Sequence, residues 1–144
     1  MNLNEILNTG ELYPGISIGM TLQEIIAKIG NPTDYNAVSD RIVYYDSYEL
    51  HFNELQSLEL IRLKILDHYK IYNHVFNLRN YHVINADISV GEFIYILQLR
   101  RIQFSFQNFV NYVGEISIVI DNGLKVLFST DNDKILYFQI GEEE

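Results

Sequence analysis

Thr21-Leu22-Gln23-Glu24-Ile25-Ile26-Ala27-Lys28-Ile29-Gly30-Asn31-Pro32 is the stretch on which the reading of the fold turns. Thr21-x-x-Glu24 is a capping-box pattern, in which the hydroxyl and the carboxylate each satisfy a backbone N–H left open at a helix start. Leu22, Ile25, Ile26 and Ile29 then fall on one helical stripe. Gly30 supplies a left-handed cap and Pro32 forbids continuation, so the pattern predicts a helix over 21–29. Working outward, residues 41–46, 48–52 and 58–66 read as three strands. Leu50 and Phe52 alternate with Glu49 and His51, and Ile61, Leu63 and Ile65 alternate with Arg62 and Lys64. That alternation predicts strands with one buried and one wet face.

The second half repeats this order. Ser89-x-x-Glu92 is another capping box, and Phe93, Ile94, Ile96 and Leu97 lie in a predicted helix over 90–102. Strands at 115–120 and 124–128 flank Asp121-Asn122-Gly123, whose Asn and Gly accept positive φ, and a third at 134–140 follows Asp131-Asn132-Asp133. Ile16-Ser17-Ile18-Gly19 matches Ile88-Ser89-Val90-Gly91 at an offset of 72, and Leu50-His51-Phe52 matches Val126-Leu127-Phe128 at an offset of 76. The reading is α+β: two degenerate helix-plus-antiparallel-meander repeats in one compact domain spanning 1–144. Repeat 1 covers 16–66, a crossover 67–87, and repeat 2 88–140. The two sheets either join edge to edge or pack around shared helices, and chance similarity of two such units is the competing explanation. Leu3, Ile6 and Leu7 form a short stripe before Gly10, while Glu142-Glu143-Glu144 reads as a solvated end.

The chain has 144 residues, of which 48% are hydrophobic, enough for one core and too few for two independent ones. Ten Lys and Arg against nineteen Asp and Glu leave −9, which disfavours nucleic-acid phosphates and anionic lipid and favours a basic partner. The balance is uneven. Residues 1–59 carry nine acids and two bases, 60–101 three acids and six bases, and 102–144 seven acids and two bases. With no Cys there is no disulfide, no Cys-ligated metal and no thiol nucleophile. Met1-Asn2-Leu3-Asn4-Glu5 lacks the basic and apolar regions of a leader, and no apolar run reaches membrane-spanning length, so the expected location is the cytoplasm.

The run from Gly15 through Gly30-Asn31-Pro32 resembles the helix that opens tandem-repeat beta-lactamase inhibitory proteins and the small lipoprotein of the outer-membrane barrel-assembly machine. It is also similar to segments of small immunity proteins of bacterial polymorphic toxin systems. The second helix departs from the pattern, running into Arg100-Arg101-Ile102 where Gly-x-Pro would stand. The resemblance implies a protein that acts by presenting a sheet face and loops to another macromolecule. It brings no catalytic residues, and a lipoprotein would need a lipid-bearing Cys that this chain lacks.

Residue chemistry is consistent with binding. His51, His68, His74 and His82 show no metal-ligand spacing, the two Asp-Asn turns lack the bidentate Glu of a calcium loop, and no phosphate loop or nucleophile elbow is present. No cofactor and no metal are expected. Glu49 and Glu59 read as able to face each other on adjacent strands. Eleven Tyr and eight Phe accompany the acids, and residues 34–59 interleave rings with carboxylates in a way that suits Arg and Lys across an interface. The candidate partner-binding residues are Asp34, Asp40, Tyr44, Tyr45, Asp46, Glu49 and Glu59, with Tyr48 assigned to the core and one of Tyr44 and Tyr45 facing outward. The expected function is a non-enzymatic inhibitor, an immunity-type protein that blocks a basic toxin or nuclease domain by occlusion. A small-ligand-binding or enzymatic domain with an aromatic-lined cleft, and a structural assembly module, stand as alternatives. Because each half has too little core alone, a single unfolding transition is expected for the whole chain, with fragments 1–66 and 84–144 showing no cooperative transition by circular dichroism when expressed separately.

Overall fold

A computed structural model describes residues 3–64, 77–78, 82–83, 88–107, 114–131 and 133–142. The expected crossover apart from residues 77–78 and 82–83, with His68 and His74 in it, and Ile65, Asn132 and the last two glutamates lie outside them. The elements are α1 (Leu3–Thr9), α2 (Leu22–Ile29), β1 (Asp34–Tyr35), β2 (Ile42–Tyr45), β3 (Tyr48–Phe52), β4 (Leu58–Lys64), β5 (Asn77–Leu78), β6 (His82–Val83), α3 (Val90–Leu99), β7 (Phe104–Gln107), β8 (Glu115–Ile120), β9 (Lys125–Ser129) and β10 (Ile135–Gly141). Eight strands form one antiparallel sheet in the order β1-β2-β3-β4-β10-β9-β8-β7, and β5 pairs with β6 separately. The fold is therefore α+β.

Each half of the sheet is a meander, and the last strands of the two halves, β4 and β10, pair with each other. Ile61 stands opposite Ile140 and Leu63 opposite Phe138, so the apolar faces of the two meanders merge. Helix side chains Ile25, Phe93, Ile96 and Leu97 join Val43, Leu50, Leu63, Val126, Phe128 and Phe138 in one continuous core. Phe93 meets Phe128 with ring centroids 5.5 Å apart.

The helix starts form as the sequence predicts. Thr21 Oγ1 accepts from the Glu24 N–H (3.2 Å) while Glu24 Oε2 accepts from the Thr21 N–H (3.1 Å), closing the box in both directions. Ser89 Oγ accepts from the Glu92 N–H, and the adjacent Val90 N–H donates to Asp133 Oδ1 from the β9–β10 turn. The caps Thr21 and Ser89 are 68 positions apart, so Ile16–Gly19, which precedes its cap, does not occupy the place of Ile88–Gly91, which spans its own.

Two differences at helix and strand ends have local causes. The second helix stops at Leu99 rather than 102, because Arg101 takes the left-handed conformation (φ 57) and the N–H groups of Arg101 and Ile102 donate back to Gln98 and Leu97. This is a Schellman cap with Arg in the place usually held by Gly, which hides the stop from a sequence reading. The chain released there forms β7, whose Phe104-Ser105-Phe106-Gln107 alternates but runs on directly from the end of the expected helix, and β1 forms after Pro32 with no alternation to mark it.

The Asp121-Asn122-Gly123 turn does join β8 to β9, with Gly123 at φ 91, and Asn122 Nδ2 reaches the Leu7 carbonyl at 2.6 Å to tie down the end of α1. At the β4–β10 junction Gly141 (φ 81) lies so close to β4 that a Cβ would sit 2.1 Å from the Glu59 carbonyl oxygen. Gly15 has nearly the same φ, 82, with nothing within 4 Å of its Cβ position. Gly15→Ala should therefore show only the left-handed strain of about 1–2 kcal/mol. Gly141→Ala must also part the junction, and a loss above about 4 kcal/mol in urea unfolding is expected.

Candidate functional site

Strand register carries one row of side chains across the sheet on the face opposite the helices. Asp34 pairs with Tyr44, Tyr44 with Glu49, Glu49 with Arg62, Arg62 with Gln139, Gln139 with Lys125, and Lys125 with Val119. The expectation of a wet face fails at the centre of this row: Glu49 and His51 are 5% and 6% exposed, and Lys125, Gln139 and Ser117 are also buried. Leu60 and Leu127, buried on the same face, belong to no part of the main core. Alternation correctly assigns these residues to one face, but it cannot tell a solvated face from a second buried one.

Burial here is tolerated because the charges are paired. Glu49 Oε2 lies 2.7 Å from Lys64 Nζ, while Glu49 Oε1 meets both His51 Nε2 and Arg62 Nη1. Arg62 also donates from Nε and Nη2 to Gln139 Oε1 at 3.2 and 2.9 Å, and its guanidinium lies 4.5 Å over the Tyr137 ring. The hydrogen bond with His51, with Lys64 adding to it, holds the Glu49 carboxyl at about 2 against the opposing effect of burial. Such a group takes no proton near neutral pH. It is a structural anion, and Glu59 does not face it, because the β3–β4 turn sets a register that places Arg62 opposite Glu49. Among the described residues no group of three His, Asp or Glu could hold a metal ion.

The other candidate residues are dispersed. Tyr45 points into the core and its hydroxyl donates to the Gly30 carbonyl at 2.7 Å, while Tyr48 packs edge-on against Tyr13 and donates to Leu12. Tyr44 is the outward member of the Tyr44–Tyr45 pair. Asp34 and Asp46 are exposed at one end of the sheet; the Asp46 N–H donates to Thr33 Oγ1. Asp40 lies at the opposite end, and Glu59, half-buried, is the second residue of β4 there.

That opposite end holds a surface the sequence reading missed. The loops 17–20, 36–41 and 53–57 meet there: Thr21 bridges to Ser57, and the Phe52 N–H donates to the Arg41 carbonyl. Asp40, Arg41, Glu54, Phe52 and Leu22 line a groove of about 400 Å³ between them. Val38 and Leu55, 97% and 85% exposed, stand at the tips of two of these loops. Each tip is held by an Asn two residues earlier. Asn36 Oδ1 accepts from the Val38 and Ser39 N–H groups (2.9 Å each), and Asn53 Oδ1 accepts from those of Leu55 (2.9 Å) and Ser57 (3.0 Å). Asn36 Nδ2 in turn donates to the Tyr44 hydroxyl at 2.8 Å, so Tyr44 braces the Val38 tip. The Asn-x-Val and Asn-x-Leu spacing is the only sequence signal for this device.

No family model, curated protein or solved structure matches the chain. Among the described residues no helix is long and apolar enough to cross a membrane.

The charged row yields a pH test. A lowered Glu49 pKa stabilises the fold fully above the ordinary carboxylate value of 4.5, and that contribution drains away as pH falls towards about 2. Glu49→Gln should cost about 2–3 kcal/mol at pH 7, because it removes the buried negative charge that His51, Arg62 and Lys64 share. The gap between variant and parent should narrow in urea unfolding repeated at pH 3.

Proposed function

We propose that this is a non-enzymatic binding protein of immunity type, acting in the cytoplasm, that neutralises a basic protein such as a toxin or nuclease domain by occluding it. The observation that carries this reading is the pair of pre-ordered aliphatic tips, Val38 and Leu55, beside a groove flanked by Asp40 and Glu54 in the half of the chain whose net charge is −7 over residues 1–59. A partner that covers both tips removes their apolar surface from water. Their loops are already hydrogen-bonded in place, which lowers the ordering cost of docking. The surrounding carboxylates favour a basic partner and speed its approach. Asp34, Asp46 and Glu59 contribute to that field in this reading, whereas Tyr44, Tyr45 and Glu49 hold the scaffold on which the contact is built.

The two halves, in the same proposal, are degenerate copies of one helix-plus-meander unit. Three features support it: each helix is capped by a hydroxyl three residues before a Glu, the strand order is symmetric about β4 and β10, and Leu50 and Phe52 of β3 share the core face with Val126 and Phe128 of β9. The second copy then serves to complete the core that the first cannot close.

The test begins with capture of the partner from the native host on the tagged full chain, followed by binding kinetics with the purified protein. Val38→Ser and Leu55→Ser should each weaken binding about 5–30-fold, from the loss of about 1–2 kcal/mol of apolar burial. Asp40→Asn and Glu54→Gln should slow association and flatten its salt dependence. A partner that binds all four variants as it binds the parent would overturn the assignment.

A further inference from the structure

The outer strand of the half of the sheet that does not carry the acidic loops has the opposite character. Helix α3 is apolar nearly all round: Phe93, Ile96 and Leu97 face the core, yet Tyr95 and Leu99 on its outer side are more than half exposed. Beside its C-terminus lies β7, the last strand of the sheet, with Phe106 exposed and packed edge-on against Phe104 at 6.0 Å. Among the described residues no strand pairs with the outer edge of β7, so its outward backbone groups form a template for another strand. We infer that this face, β7 with the outer side of α3, is a self-association surface on which a second copy of the chain docks by antiparallel β7–β7 pairing.

Charge selects the second copy as occupant. Two molecules of net charge −9 repel each other over most of their surfaces. Residues 88–107 are the exception, with Glu92, Arg100 and Arg101 as their only charged side chains. A strongly basic partner is drawn to the acidic halves at the other end of the sheet, whereas this face lets two like molecules meet without opposing carboxylates.

Symmetry and the pleat then fix a register. A two-fold axis through an antiparallel pair must keep facing side chains on one side, so it passes through a residue rather than between two. An axis at Ser105 places Phe104 of each copy opposite Phe106 of the other, clustering four rings, and such cross-strand aromatic pairs are favourable. The same register sets Gln103 of one copy opposite Gln107 of the other, and the Gln107 side-chain oxygen is buried without a partner in the single chain. The sheets of the two copies join into one, and the loops carrying Val38 and Leu55, on the β1–β4 half of each copy, stay free.

The absence of cysteine makes this register directly testable. Directly opposed residues in an antiparallel pair have Cα atoms about 4.5–5.5 Å apart, within the range a disulfide spans. Ser105→Cys in the full chain should form a disulfide-linked dimer under mild oxidation at least tenfold faster than Thr130→Cys, an exposed position in the β9–β10 turn. By sedimentation equilibrium at up to 100 µM the parent should reach twice its 16.9 kDa mass, and Phe106→Arg should return it to 16.9 kDa with the same circular dichroism spectrum. A parent that stays monomeric at that concentration overturns the proposal. So does a dimer that survives Phe106→Arg, or one in which the two cysteine variants cross-link equally fast.

Discussion

The pairing of β4 with β10 is the contact through which everything else in this molecule is connected. The helices and both meanders share one core, and the five paired positions from Leu60–Gly141 to Lys64–Tyr137 join the two halves of the sheet. The approach is close enough that one position, Gly141, must lack a side chain and must also take a positive φ. The same ladder sets the phase of the whole sheet, so that Glu49, Arg62, Gln139 and Lys125 fall into line on the face away from the helices.

That line of charge has a structural logic of its own. A carboxylate in a poorly solvated place is costly unless donors surround it, and Glu49 has His51, Lys64 and Arg62. Arg62 bridges the junction from β4 to Gln139 on β10, so the polar row reinforces across the seam what the apolar row does on the other side. Slipping the register by one residue would move these charges into the helix-side core, which makes the alternative pairings very unfavourable. The network thus contributes to the uniqueness of the fold as well as to its stability.

Relieved of structural duty, the ends of the sheet can carry binding. The Tyr44–Asn36 hydrogen bond links the charged face to the Val38 loop, so a residue inside the scaffold governs the shape of the exposed tip. The loops carrying Val38 and Leu55 belong to the β1–β4 half of the sheet, and the nearly uncharged β7 is the outer strand of the other half. On the two proposals above, a basic partner meets the loops and a second copy meets the β7 edge, so the two contacts do not compete.

Local sequence determined the helix starts at Thr21 and Ser89, the tight turn at Asn122-Gly123, and the side of each strand on which Glu49, His51, Leu50 and Phe52 lie. Capping, turn formation and strand alternation depend on neighbours within a few residues, and those are visible in any sequence. Alternation also put Tyr48 in the core and one of Tyr44 and Tyr45 outside it, while the tertiary structure decided that Tyr45 is the buried member. What lay beyond it were interactions between residues far apart in the chain: the β4–β10 junction, the opposition of Glu49 to Arg62 rather than Glu59, and the burial of a face that alternation marks only as polar. The stop at Arg101 escaped because nearby backbone hydrogen bonds hold a non-glycine residue at positive φ. Val38 and Leu55 escaped because an isolated aliphatic residue in a polar loop gains meaning only when three loops meet at one end of a sheet. Tertiary structure alone decided these points, since burial, register and the convergence of loops are properties of distant segments brought together.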